Sequence, residues 1–256
     1  MQKDIHFYLT YALARKCGIP AETAERIAWA DQHTDEMTKA DLHGIQTQSA
    51  VLGNWGDRQV QLSVLVPFHF LPGDDGWAVE PNSARAQALV KQAKNPIELG
   101  IALHTLQDTF SHQGFSGWQE KLNSCFPWWY IQSLTPNIGH AEMGVVPDVV
   151  NYVWTDPRTG EIIDNKIRAE SCASATFRHL FEFAGRPKGV HWPAIADEIE
   201  PTFHLSYDDR KRELRKIGGN HTISYKNLKF DKDDFIQAAR KHLAAVMQTI
   251  IFPAAP

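Results

Sequence analysis

The chain has 256 residues, with 26 Lys and Arg against 30 Asp and Glu and a formal net charge of −4. That balance excludes a surface that is cationic as a whole, so no stable nucleic-acid complex is expected. No apolar run approaches the ~20 residues of a transmembrane helix and no basic-then-apolar leader opens the sequence, so the expectation is a cytoplasmic protein without a membrane span.

The elements read as helices separated by long loops. Residues 4–17 form a first helix, stopped by Gly18 and Pro20. A second runs over about 21–37, with Ala24, Ala28, Asp31 and Asp35 on one stripe. Residues 45–81 are punctuated by Gly, Asp and Pro, and the apolar patch Val64 to Leu71 is too short and Pro-broken for a long helix. Asn82 caps a short alanine-rich helix to Lys94. Asn95, Pro96 and Glu98 then open another as cap, first-turn proline and capping-box carboxylate, with Leu99, Leu103, Leu106 and Phe110 as its apolar face. Residues 113–160 are loop-rich and aromatic, with Trp118, Phe126, Trp128, Trp129 and Tyr130. A helix over 164–184 carries Ala169, Ala173, Phe177 and Leu180. Residues 205–231 begin with a basic solvated face, Lys211 to Lys216, and then alternate at Ile223, Tyr225 and Leu228, which predicts a small β-hairpin near 220–230. Asp231 and Asp234 open a final amphipathic helix with Phe235, Leu243, Val246 and Ile250. No repeat or domain boundary is visible. The fold class is all-α, a single domain over residues 1–256. Cys17, Cys125 and Cys172 form no CxxC pair and read as reduced core residues.

The chemistry lies in polar residues set among apolar ones. His104, Asp108 and His112 follow at intervals of four along the 95–112 helix. Burying two imidazoles and a carboxylate is costly without compensation. A metal ion supplies it, since both groups are ordinary zinc ligands. A solvated stripe, or histidines satisfied within a core, would give the same spacing. His6 lies within Ile-His-Phe-Tyr-Leu, His69 between phenylalanines, Asp31 and Asp35 on a stripe of alanines, and His140 just ahead of Glu142 and Asp148. With 12 histidines in the chain some are incidental. Several such residues on different segments nevertheless fit one site better than separate coincidences, and two or three ions sharing carboxylates would use them all.

These segments carry a resemblance. Trp29-Ala30-Asp31 and Phe68-His69-Phe70-Leu71 are similar to ligand segments in the nuclease branch of the zinc-dependent phospholipase C and S1/P1 nuclease superfamily, and His104-x3-Asp108 resembles its shared helix. Asp4-Ile-His-Phe-Tyr-Leu-Thr-Tyr11, Gln32-x2-Asp35 and His104-x2-Gln-Asp-x3-His-Gln-Gly-Phe115 more closely resemble an uncharacterised bacterial group, DUF6765. The matched segments span about residues 4–148. The resemblance implies a helical bundle of the phospholipase C/P1 nuclease type with two or three zinc ions, Asp108 bridging and His6 as the early histidine. The implied metal set is His6, Asp31, Asp35, His69, His104, Asp108, His112, His140 and Asp148.

The departures matter. Secreted members ligate a metal through a mature N-terminal Trp, whereas this chain opens Met1-Gln2-Lys3, so Asp4 or a water is the expected replacement. His112 falls four residues after Asp108 instead of the usual six. The late His-x3-Asp/Glu pair is missing, leaving Glu142 or, preferably, Asp148. Asp31 and Asp35 compete for one ligand role. The one left over would orient the attacking water or a histidine, which makes both catalytic candidates.

The function implied is a metal-dependent hydrolase, a phosphoesterase acting on a small-molecule or lipid phosphoester, with zinc as the expected metal and iron or manganese compatible. Another hydrolase or lyase on the same scaffold, acting on a phosphorus-free molecule, and a non-catalytic metal-binding protein are the alternatives. The His-Asp dipeptide of helical HD phosphohydrolases and the Glu-x-x-His pairs of diiron carboxylate proteins are both missing from the chain.

Overall fold

A computed structural model describes residues 1–38, 45–48, 56–127 and 135–250. Trp128, Trp129 and Tyr130 lie outside the described residues. The first helix, α1, winds through Asp4–Leu9 in wide π turns and Thr10–Lys16 in α geometry. It stops at Gly18, whose φ of 78° only glycine adopts freely. Helix α2 is Ala21–Glu36.

Helix α3 corrects the reading of residues 45–81. Arg58–Val60 leads directly into Gln61–His69, a helix with Pro67 inside it. Proline deprives a helix of one N–H and leaves a carbonyl without its partner. Here the segment widens into π turns, and the Phe70 N–H reaches back to the Leu65 carbonyl (2.8 Å). The last carbonyls of the helix, which have no partner within it, find donors on other helices: His242 Nε2 on Pro67 O (2.9 Å) and Thr105 Oγ1 on Phe68 O (3.1 Å). Tertiary hydrogen bonds hold a helix that local propensity would break.

Helix α4 is Ala84–Gln92, capped by Ser83, one residue beyond the expected Asn82. Helix α5 is Pro96–Ser111, with the Asn95 carboxamide accepting from the N–H groups of Ile97 and Glu98. Glu98 itself reaches back to the N–H of Lys94 (2.8 Å). Helix α6, Asn165–Phe183, is capped by Asp164. Helix α7, Trp192–Ile199, runs into a 3-10 segment, Glu200–His204. Helix α8 is Tyr207–Ile217 and α9 is Lys232–Thr249. The reading had neither α7 nor α8, although Ser206-x-x-Asp209 is a capping signature and the Ser206 hydroxyl accepts from the Asp209 N–H. The basic run on α8 is balanced locally, by Asp208, Asp209 and Glu213 of the same helix.

The expected small hairpin exists at a different place. Strands β1 (Val153–Thr155) and β2 (Ile162–Asp164) pair antiparallel, with Trp154 opposite Ile163 on the buried face. Residues 220–230 instead hold a 3-10 turn at Tyr225–Asn227. The alternation there reflects Ile223, Tyr225 and Leu228 packing onto the helical core from an irregular segment.

Helix α5 is central and touches α2, α4, α6 and α9. Its closest neighbour is α2, because Gly100 has no side chain: a Cβ there would lie 2.3 Å from the Ile27 carbonyl oxygen. This near backbone contact sets the His104 and Asp31 side chains against one another. Among the described residues no helix is long and apolar enough to cross a membrane. All three cysteines are buried and free.

A second buried constraint fixes the start of α1. Arg210 of α8 is 1% exposed and Asp4 is fully buried; the guanidinium holds the Asp4 carboxylate, Asn151 Oδ1 and the carbonyls of Thr202 and Leu205. Removing one member strands the other as an uncompensated buried charge. Arg210→Met is therefore expected to destabilise the fold by ~3–5 kcal/mol in chemical denaturation, and adding Asp4→Asn to recover part of that loss.

Candidate metal centre

All nine sequence-selected residues converge. Helix α1 supplies His6, α2 supplies Asp31 and Asp35, and α3 ends in His69. His104 and Asp108 come from α5, His112 from the residue capping its end, and His140 and Asp148 from the loop ahead of β1. Three groups each have ligand atoms within 4.8 Å of one another: His6/His104/Asp108, Asp35/His69/His104 and His112/His140/Asp148. Asp108 is the hub. Its Oδ1 lies 3.2 Å from His6 Nε2, and its Oδ2 lies 3.1 Å from His69 Nδ1 and 3.3 Å from His104 Nε2.

Each imidazole turns one nitrogen outward to an oxygen and the other inward. His69 Nε2 donates to Thr47 O (2.6 Å), His112 Nδ1 to His69 O (2.7 Å) and His140 Nδ1 to Gly144 O (2.7 Å). His6 Nδ1 donates to Gln107 Oε1 (2.8 Å) and faces Asp31 Oδ1 at 3.1 Å, while His104 Nδ1 lies 3.4 Å from that same oxygen. Fixing one ring nitrogen through an outer oxygen sets the tautomer and aims the free lone pair, the usual support of a metal-binding histidine. Two inward nitrogens, His69 Nδ1 and His104 Nε2, are only 3.1 Å apart, and the fully buried His6 Nε2 has no hydrogen-bond partner. Lone pairs packed this closely suit a shared cation, so the residues fit a metal.

The competition between Asp31 and Asp35 resolves by depth. Asp31 is fully buried behind the rings of His6 and His104, with its second oxygen accepting from Thr10 Oγ1 (2.7 Å), and it does not line the cavity over the site. It orients imidazoles and cannot touch a substrate. Asp35 lines that cavity and approaches His6, His69 and His104 at 3.7–3.9 Å. Asp4, expected as a replacement for the N-terminal Trp ligand of the secreted enzymes, does not reach the site, since it is committed to Arg210. The Met1 amine lies 2.5 Å from Asp108 and 3.2 Å from Asp148. Glu142 is spent on the N–H groups of Cys125 and Phe126, leaving Asp148 as the carboxylate between His112 Nε2 (3.2 Å) and His140 Nε2 (3.4 Å). The reading gave no site role to Thr10 or Gln107. Gln107 links His6 to Thr10 (2.7 Å), and its sequence signal was its place beside Asp108 in the His104-x2-Gln-Asp segment.

The electrostatics follow from this crowding. Burial opposes ionisation of Asp108, but the Met1 ammonium and then His112 and His104 pull its pKa well below the usual carboxylate range. Burial and the Met1 ammonium oppose protonation of His6, yet the Asp108 and Asp31 carboxylates beside its ring raise its pKa to about 10. A proton on His6 thus stands in for a cation. With the folded pKa above the ordinary 6.5, this stabilisation of the ion-free fold is complete below pH 6.5 and is lost as the pH rises through 10. Ion-free protein should therefore lose thermal stability between pH 7 and pH 10. Zinc should restore it while releasing protons, as read by calorimetry in buffers of different ionisation enthalpy.

The inward nitrogens and carboxylates of α3, α5 and the 138–148 loop open on a cavity of about 350 Å³. Comparison with known proteins gives a single broad result: the family model for DUF6765, a family of unknown function, matches residues 1–249. No curated protein and no solved structure matches. The wider kinship with zinc phospholipases C and S1/P1 nucleases receives no support from these comparisons. With nearly its whole length matched, the chain belongs to the DUF6765 family.

Proposed function

We propose that the chain is a metal-dependent hydrolase of the phosphoesterase class, holding two or three zinc ions, and a distant relative of the zinc phospholipases C and S1/P1 nucleases. The observation that carries this reading is the inward turn of five imidazoles onto Asp35, Asp108 and Asp148 at the floor of an open cavity. A structural zinc needs four ligands in a closed cluster. Here the donors exceed that number and border a cavity, which leaves room for water and substrate. Imidazole and carboxylate without thiolate favour Lewis-acid hydrolysis over electron transfer.

Ions bound there would acidify water and neutralise the oxygens of a phosphoryl group. The protein's own contribution is orientation. Asp31 and Gln107 hold His6 and His104 from behind, and main-chain carbonyls hold His69, His112 and His140. Asp35 is the loosest of the carboxylates, with no imidazole closer than 3.7 Å, and it faces the cavity. It is the group placed to take a proton from an attacking water. The water oxygen bonds to phosphorus as the ester P–O bond breaks, and that proton leaves on the departing alcohol.

Protein purified without chelator should carry about two or more zinc ions per chain and hydrolyse phosphoesters until chelated. Asp31→Asn should lower metal affinity by ~10–100-fold. Asp108→Asn should lower metal content and activity further. Glu142→Gln, whose side chain is turned to the Cys125 and Phe126 N–H groups, should leave metal content unchanged. Zinc-replete protein that is inert on a broad phosphoester panel but cleaves a phosphorus-free ester would remove the phosphoesterase claim and spare the metal centre.

A further inference from the structure

The cavity over the metal ligands has two unlike halves. Its floor is the cluster of carboxylates and imidazoles. Its walls are Leu65, Phe70, Ile138, Ala141 and Val145; among the described residues no Lys, Arg, Asn, Gln, Ser or Thr lines it, and the Met1 amine at its edge is already held by Asp108 and Asp148 on the floor. The apolar side is preformed. Phe70 stacks on His112 with ring centroids 4.3 Å apart and an interplanar angle of 16°. It also lies against Gly139, where a Cβ would lie 2.4 Å from the ring. Leu65 and Ile138 are buried, whereas Val145, 59% exposed, stands at the rim.

This division discriminates between substrates. A phosphoryl group on the floor meets the cations held there. Any further charge on the same molecule would face hydrocarbon with no side-chain donor and lose its hydration. An apolar group in that position gains from burial. The volume, about 350 Å³, is near the lower end of the ~300–1,000 Å³ typical of ligand pockets. One ring or one short branched chain fits beside a phosphoryl group; a nucleotide or a two-chain lipid does not.

Resting on the phosphoesterase reading, we propose that this cavity selects small phosphate esters whose alcohol part is a single uncharged apolar group, held by the wall of Leu65, Phe70, Ile138 and Val145. The zinc-loaded protein tests it directly. Calorimetry should show phenylphosphonate binding at least ~10-fold tighter than methylphosphonate, and adenosine 5′-diphosphate binding more weakly than either. Val145→Lys should shrink the phenyl preference and favour the diphosphate, while Ile162→Lys, on the exposed face of the hairpin, should change neither. Equal affinity for the two phosphonates, binding of neither, or tightest binding of the diphosphate would overturn the proposal. Equal affinities with phosphoester hydrolysis intact would overturn it alone and leave the phosphoesterase reading standing. A strong phenyl preference without hydrolysis of any phosphoester would uphold the apolar recognition and remove the catalytic reading instead.

Discussion

A carboxylate at the centre of a helical bundle, cut off from water, must be matched by positive charge, and the arrangement around Asp108 is the bundle's answer to that requirement. His6 is brought to it by α1, His69 by α3 and His104 by its own helix, one turn before it. The close approach of α5 to α2 at Gly100 completes the enclosure by pressing Asp31 against the backs of two of these rings. The helices cross where they do so that a few polar atoms can meet.

Asp4 makes an instructive contrast. It is as deeply buried as Asp108, yet its partner is a guanidinium that stays charged at any physiological pH. That pair cannot exchange its counter-charge and serves only to hold α1 on α8. The partners of Asp108 are imidazoles and an amine, groups whose lone pairs serve a proton or a metal ion alike. Two solutions to the same electrostatic problem thus separate scaffold from chemistry. The outer acceptors fit this division: Thr47, His69 and Gly144 offer neutral carbonyls, which aim imidazoles without adding charge to the site.

Much of this was legible in the sequence because the signals were local. Asn95 and Pro96 opened α5, Gly18 closed α1, and each ligand-type residue stood out as polar in an apolar run. What was not legible depended on the third dimension. Asp31 and Asp35 share one helical stripe, and only the depth of the surrounding rings separates a residue behind the histidines from one at the cavity. Asp4 sits two residues from His6, but its side chain leaves on the far side of α1, toward Arg210. Pro67 signalled a break, yet the helix runs through it in π turns, and His242 and Thr105, far away in sequence, hold its last carbonyls. Gln107 is an unremarkable helix residue until its amide is seen spanning His6 and Thr10.

The hydrogen bond from His242 to the Pro67 carbonyl ties the segment bearing His69 to the last helix of the fold. A ribosome releases the chain from its amino end, so His6 to Asp148 all emerge before α9 has been made. During that interval the imidazoles and carboxylates are present but α3 lacks its clamp, so they have no fixed geometry. The geometry around Asp108 is therefore completed only at the end of synthesis, when α9 docks and fixes the end of α3 that carries His69.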